Sequence, residues 1–151
     1  MVTLPPNPAL TQFMKPTLDT PFHIDYSWWD DSGLDLNVKL ASHLCPEHRE
    51  AYAGQTVGDK IDWVDWATGE VHPVDGLQYI ITTHCSKQAG YVVQAPTLIE
   101  AVFRAFLANA NQPLTPRALA PLVGHRPEQI LRVLAGHTVR LGLRPLLKQR
   151  R

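Results

Sequence analysis

Apolar and polar positions over residues 97–136 repeat with the period of an α-helix. In "TLIEAVFRAFLANANQ", 97–112, Leu98, Ile99, Val102, Phe103, Phe106 and Leu107 form a wide stripe on one face. Thr97 stands three residues before Glu100, a capping box that starts the helix. "LTPRALAPLVG", 114–124, has Thr115 as cap, Pro116 in the first helical position and Gly124 as the stop. Pro121 should tighten or kink this helix. "HRPEQILRVLAG", 125–136, repeats the design, with Pro127 early, Ile130, Leu131 and Leu134 buried and Gly136 at the end. The period then changes to two: Val139, Leu141 and Leu143 alternate with Arg140 and Arg144, which predicts a short strand over 137–147.

The first half is patterned differently. Residues 1–21 hold five of the thirteen prolines and read as an extended arm. "PFHIDYSWWDD", 21–31, alternates Phe22, Ile24, Tyr26 and Trp28 with His23, Asp25 and Ser27, which predicts a strand. Asp31 or Ser32 can cap a following helix that carries Leu34, Val38 and Ala41 on one face, with Leu36, Leu40 and Leu44 beside it. Pro46 breaks that helix at Cys45 and starts a short one ending near Gly54. Residues 60–77 read as a β-hairpin turning at "ATGE". Residues 75–90 read as a helix with Leu77, Ile80, Ile81 and His84 at helical spacing. The fold class expected is α+β: a small strand, hairpin and helices, then an all-helical C-terminal module. The units are the arm 1–21, a domain 22–95 and a domain 96–151.

Charge sharpens this division. The chain of 151 residues is neutral overall, but residues 1–95 carry five Lys/Arg against twelve Asp/Glu, and residues 96–151 carry nine against two. An acidic half and a basic half have different natural partners, and the basic one attracts polyanions. The two halves can equally attract each other, within one chain or between two, which makes a homodimer one expected assembly. No apolar run approaches the ~18–20 residues that span a membrane. The first twenty residues lack a basic start followed by an apolar block, so no signal peptide is expected. Two cysteines make no disulfide framework, so a cytoplasmic protein with reduced thiols is expected.

Residues 97–147 resemble a helix-turn-helix module of the winged-helix type. The resemblance is carried by the long first helix, Leu114-Thr115 opening the second, Ala118 within it, the turn at Gly124, and Arg126-Pro127 opening the third. It implies that the third helix reads the major groove, with His125, Arg126, Glu128, Gln129 and Arg132 facing base edges. Arg117, Arg140, Arg144 and Arg150 would then supply phosphate contacts, which provide most of the affinity of such modules. Pro121 departs from the family pattern. So does Glu128, which phosphate repels although its carboxylate can accept from cytosine. The strand is also too short for a full wing. Many such folds dock proteins rather than DNA. Two functions follow: a DNA-associated regulator or accessory protein, or a non-enzymatic interaction scaffold.

One stretch suggests a metal. "HLCPEHRE", 43–50, places Cys45 and His48 with two residues between them, so that one tight turn can supply two ligands. His84 and Cys85 would supply the other pair of a structural zinc site. Neighbouring side chains diverge on a helix, so Cys85 with His43, or with a water, is an equal completion. Buried core cysteines and a Cys45–Cys85 disulfide are the competing readings. The cluster of Trp28, Trp29, Trp63 and Trp66 reads as core, and its interleaved aspartates as solvated faces. No phosphate-binding glycine loop, paired catalytic carboxylate or triad signature is present, so no enzymatic activity is expected.

Overall fold

The computed structural model describes residues 15–51, 60–64, 69, 71–136 and 138–146. The protein is α+β and mostly helical. Among the described residues there are seven α-helices, one 3-10 turn and two antiparallel sheets of two strands each. Strand β1 (Phe22–Ile24) leads into α1 (Tyr26–Ser32), α2 (Leu36–Ser42) and α3 (Pro46–Ala51). The hairpin strands β2 (Lys60–Val64) and β3 (Val71–Asp75) follow. Then come α4 (Gly76–Thr83), the 3-10 turn (Cys85–Lys87), α5 (Leu98–Ala108), α6 (Pro116–Val123), α7 (Pro127–Leu134) and β4 (Leu143–Pro145).

Four expected elements change, each for a local reason. The strand expected over 21–31 stops at Ile24, because the Asp25 carboxylate accepts the Ser27 N–H and caps a helix. That helix ends at Gly33, whose φ of 76° is left-handed. Asp35, rather than Asp31 or Ser32, therefore caps α2, accepting from the Asn37 N–H. Leu34 and Val38 are exposed, and Leu40 and Leu44 are the buried leucines. Helix α4 ends at Thr83, short of Gly90, because His84 leaves helical geometry (φ −127°, ψ −60°). The last strand shrinks to Leu143–Pro145, since Leu141 and Gly142 both take positive φ, 54° and 73°. The hairpin forms with Lys60 opposite Asp75 and Val64 opposite Val71. Most of its "ATGE" turn, and the arm before residue 15, lie outside the described residues, as does Gly54.

Helix α5 holds the core together. The Thr97 hydroxyl accepts the Glu100 N–H at its start, as the capping box requires. Ala101, Val102, Phe103, Ala105, Phe106 and Leu107 are all buried, so apolar surface wraps most of its circumference. Each buried phenylalanine contributes about 1.5–3 kcal/mol of transfer free energy. One continuous cluster unites Phe22, Ile24, Leu40 and Ile81 from the acidic half with Phe103, Leu119, Ile130 and Leu143 from the basic half.

Strand β1 is bonded on both edges. One edge pairs with β4, Ile24 opposite Leu143. On the other, Phe22 exchanges backbone bonds with Leu114, at 2.8 and 3.1 Å. The Asn111 amide continues this edge: its Oδ1 accepts the Ile24 N–H at 2.7 Å and its Nδ2 donates to the Ile24 carbonyl at 2.9 Å. The Trp29 indole N–H donates to the Leu141 carbonyl at 3.0 Å, closing residues 22–29 onto 141–145. α4 is tied to α5 where the Thr82 hydroxyl donates to the Leu107 carbonyl, at 2.9 Å. The chain segments after α2 and after α4 meet as a result.

Candidate metal centre

The first ligand segment is shaped by Pro46. A residue before proline is pushed out of the α region, so α2 cannot run on through Cys45. Pro46 opens α3, and the Cys45 carbonyl accepts the first helical bond from the Arg49 N–H, at 2.8 Å. One turn later His48 comes back beside Cys45. The loop carbonyls are tied down from outside: the Tyr91 hydroxyl donates to His43 O at 2.5 Å, and the Arg49 guanidinium donates to Ser42 O and Leu44 O at 3.1 and 3.2 Å. Cys85 arrives from the opposite side, buried at the start of the 3-10 turn.

Three donor atoms converge here. The Cys45 and Cys85 sulfurs are 3.4 Å apart. His48 Nδ1 lies 3.1 Å from the Cys45 sulfur and 3.6 Å from the Cys85 sulfur. A tetrahedral zinc with bonds of about 2.3 Å to sulfur and about 2.0–2.1 Å to nitrogen has ligand edges of about 3.8 Å (S–S) and about 3.6 Å (S–N). The three observed edges come within roughly half an ångström of that figure. Cys45, His48 and Cys85 are thus close enough to hold a metal ion. Both cysteines are free thiols.

Burial pushes the Cys85 thiol up to about 11, while the Cys45 N–H, donating to its sulfur at 3.3 Å, favours the thiolate. A metal would supply the missing stabilisation, because metal binding favours the thiolate and releases the proton.

His84 does not join the two sulfurs. Cys85 is fully buried and His84 is half exposed, so the neighbouring side chains diverge. The His84 ring nevertheless meets the same imidazole from outside, edge-on to His48 with centroids 4.3 Å apart. Its Nε2 lies 3.5 Å from a Glu47 carboxylate oxygen and 3.5 Å from Gln88 Nε2. Glu47, His48 and His84 thus make a second group of mutually close donors that shares His48 with the first. Sequence reasoning missed Glu47, although it stands between the ligands in Cys-Pro-Glu-His.

His43 completes neither group. Its Nδ1 accepts from Arg104 Nε at 2.9 Å, which assigns the ring proton to Nε2. That nitrogen is buried with no hydrogen-bond partner, and the nearest Glu100 oxygen is 4.0 Å away. Burial, then the Arg104 charge, push His43 down to about 4, so it is neutral at pH 7. Arg104 also donates to Tyr91 O at 2.8 Å and lies over the Tyr91 ring, 4.8 Å from its centroid. Lys39 pairs with Glu100 at 2.8 Å, and that bond chiefly holds the Glu100 carboxyl below its ordinary range. This partly buried brace supports the loop that presents Cys45. Its one visible sequence signal was Arg104, a lone cation within an apolar helix.

The residues assigned to nucleic acid fall into two sets. His125, Arg126, Gln129 and Arg132 are exposed around the start and outer face of α7, with Glu128 exposed beside them. Arg140 is exposed as well. Arg117 and Arg144 are instead engaged within the chain, Arg117 with Asp19 at 2.9 Å and Arg144 with Asp25 at 3.0 Å. Burial would raise the Asp25 carboxyl, but the bonds from Ser27 and Arg144 outweigh it and hold it low. Arg150 lies outside the described residues. No helix among the described residues is long and apolar enough to cross a membrane. The chain matches no protein-family model, no curated protein and no solved structure.

Proposed function

We propose that this chain is a non-enzymatic protein, stapled by one structural zinc ion, that contacts DNA through α7. The staple rests on one observation: two sulfurs and an imidazole nitrogen, brought from segments 40 residues apart, stand within 3.6 Å of one another. Two thiolates and an imidazole suit zinc, whereas hard cations such as magnesium and calcium prefer oxygen. The ion would hold the end of α2 and the end of α4 together and add its binding free energy to folding.

The DNA contact is supported by what α7 leaves outside. α6 ends at Gly124, φ 75°, and α7 begins at Pro127 after a three-residue turn. Ile130 and Leu134 face the core, while Arg126, Gln129 and Arg132 remain exposed and, among the described residues, form no ion pair. A helix resembling the reading helix of a helix-turn-helix presents such residues to the major groove.

Fluorescence anisotropy on a labelled duplex tests this reading in the whole chain. With Arg140 as a phosphate partner and Arg126 and Arg132 at base edges, log K should fall as log salt rises, because bound phosphates release counterions. Arg126→Ala and Gln129→Ala should weaken binding to a preferred sequence more than to bulk duplex. No binding at low salt would refute the reading. The second reading, docking of a protein partner, is favoured by the Arg117–Asp19 and Arg144–Asp25 pairs, because they divert basic groups from phosphate.

A further inference from the structure

Resting on the zinc reading above, we propose that the fourth vertex of the metal centre opens to solvent beside Glu47 and His84 and accepts a small thiol as its thiolate. The centre would then be a ligand-binding site as well as a staple.

Three protein donors are in place, and among the described residues neither histidine expected as the fourth, His43 or His84, joins them. His43 is turned away: Arg104 takes its Nδ1, and its Nε2 faces Glu100. His84 directs Nε2 to Glu47 and Gln88, and its ligand atom is not close to both sulfurs. Among the described residues, no other histidine, cysteine or carboxylate joins the group that contains the sulfurs. A centre with three protein ligands and one exchangeable position is the open form of a zinc site.

Burial decides which way that position faces. Cys45 and Cys85 are 3% and 0% exposed and belong to the apolar cluster. His48 is half-buried, and Glu47 and His84 are exposed. The vertex remote from the core therefore lies on the Glu47–His84 side, where water would occupy it at rest.

Softness favours a thiolate. Two thiolates already neutralise Zn²⁺, so the match of sulfur to the metal, rather than charge, selects the ligand. Two sulfurs already make the donor set soft, and a third gives the three-sulfur, one-nitrogen set that zinc adopts in closed sites. The exchange is balanced: the thiol loses its proton to the buffer, its sulfur binds the metal, and one water leaves. No electron is transferred.

Cobalt(II) in place of zinc makes the vertex visible. The whole chain, freed of thiol and loaded with cobalt, is titrated with 2-mercaptoethanol. The sulfur-to-cobalt charge-transfer band should grow saturably, by about half, as sulfur ligands go from two to three. The response should persist in His84→Gln. If the wild-type spectrum ignores thiol and only His84→Gln responds, His84 is the fourth ligand and the proposal is overturned. Indifference of both chains overturns it as well. A chain that takes up no cobalt overturns the zinc reading itself, an outcome separate from a cobalt centre that ignores thiol.

Discussion

Asn111→Ala removes the side chain that acts as a partner strand for β1. The Asn111 amide bonds both backbone groups of Ile24, at 2.7 and 2.9 Å, and Ile24 is 1% exposed. Truncation leaves a buried N–H and a buried C=O without partners, at about 1–1.5 kcal/mol each. Alanine must also hold the φ of 58° that Asn111 adopts, which asparagine tolerates better, adding about 1 kcal/mol. The expected loss is about 3–4 kcal/mol, a large share of a marginal stability. Asn111→Gly loses the same bonds without the backbone strain and should cost about 1 kcal/mol less. Urea unfolding followed by circular dichroism measures both variants. If both unfold within about 0.5 kcal/mol of wild type, β1 is not held by this amide and the account of the N-terminal edge is wrong.

Two further outcomes follow. Gly142→Ala should lower the melting temperature, because a Cβ there would lie 2.8 Å from Trp29 Nε1 and 3.0 Å from the Asp25 carbonyl, and φ is 73°; an unchanged melting curve would count against the closure of residues 22–29 onto 141–145. His43, neutral in the folded chain down to about 4, takes up a proton near 6.5 when unfolded, so its contribution is full above about 6.5 and is lost as pH falls towards 4. With chelator present throughout, wild type should lose roughly 2–3 kcal/mol more than His43→Asn between pH 7.5 and 4.5; parallel pH profiles would contradict this burial.

How much was legible in the sequence depended on how local each signal was. The caps at Thr97 and Thr115 and the stop at Gly124 act through their own neighbours, so the starts of α5 and α6 and the end of α6 were read closely. The Cys-x-x-His spacing was likewise readable, because one turn of α3 sets it. Asp25 misled because one residue that caps a helix also fits an alternating strand. Leu141 and Gly142 broke a plausible strand because their positive φ is imposed by contacts with Asp25 and Trp29, far away in sequence. The convergence of Cys85 on Cys45 depends on α4 docking against α5, which no local pattern encodes. The divergence of His84 from Cys85 was expected for a helix; here it arises in the non-helical backbone between α4 and the 3-10 turn.

The zinc staple is tested most directly by measuring metal content and melting temperature on the same purified chain. Elemental analysis should find about one zinc per chain in wild type and almost none in Cys45→Ser or Cys85→Ser. A chelator should lower the wild-type melting temperature to that of the cysteine variants and leave those variants unchanged. A metal-free wild-type chain that remains metal-free after incubation with zinc, and melts at one temperature with or without chelator, would contradict the staple.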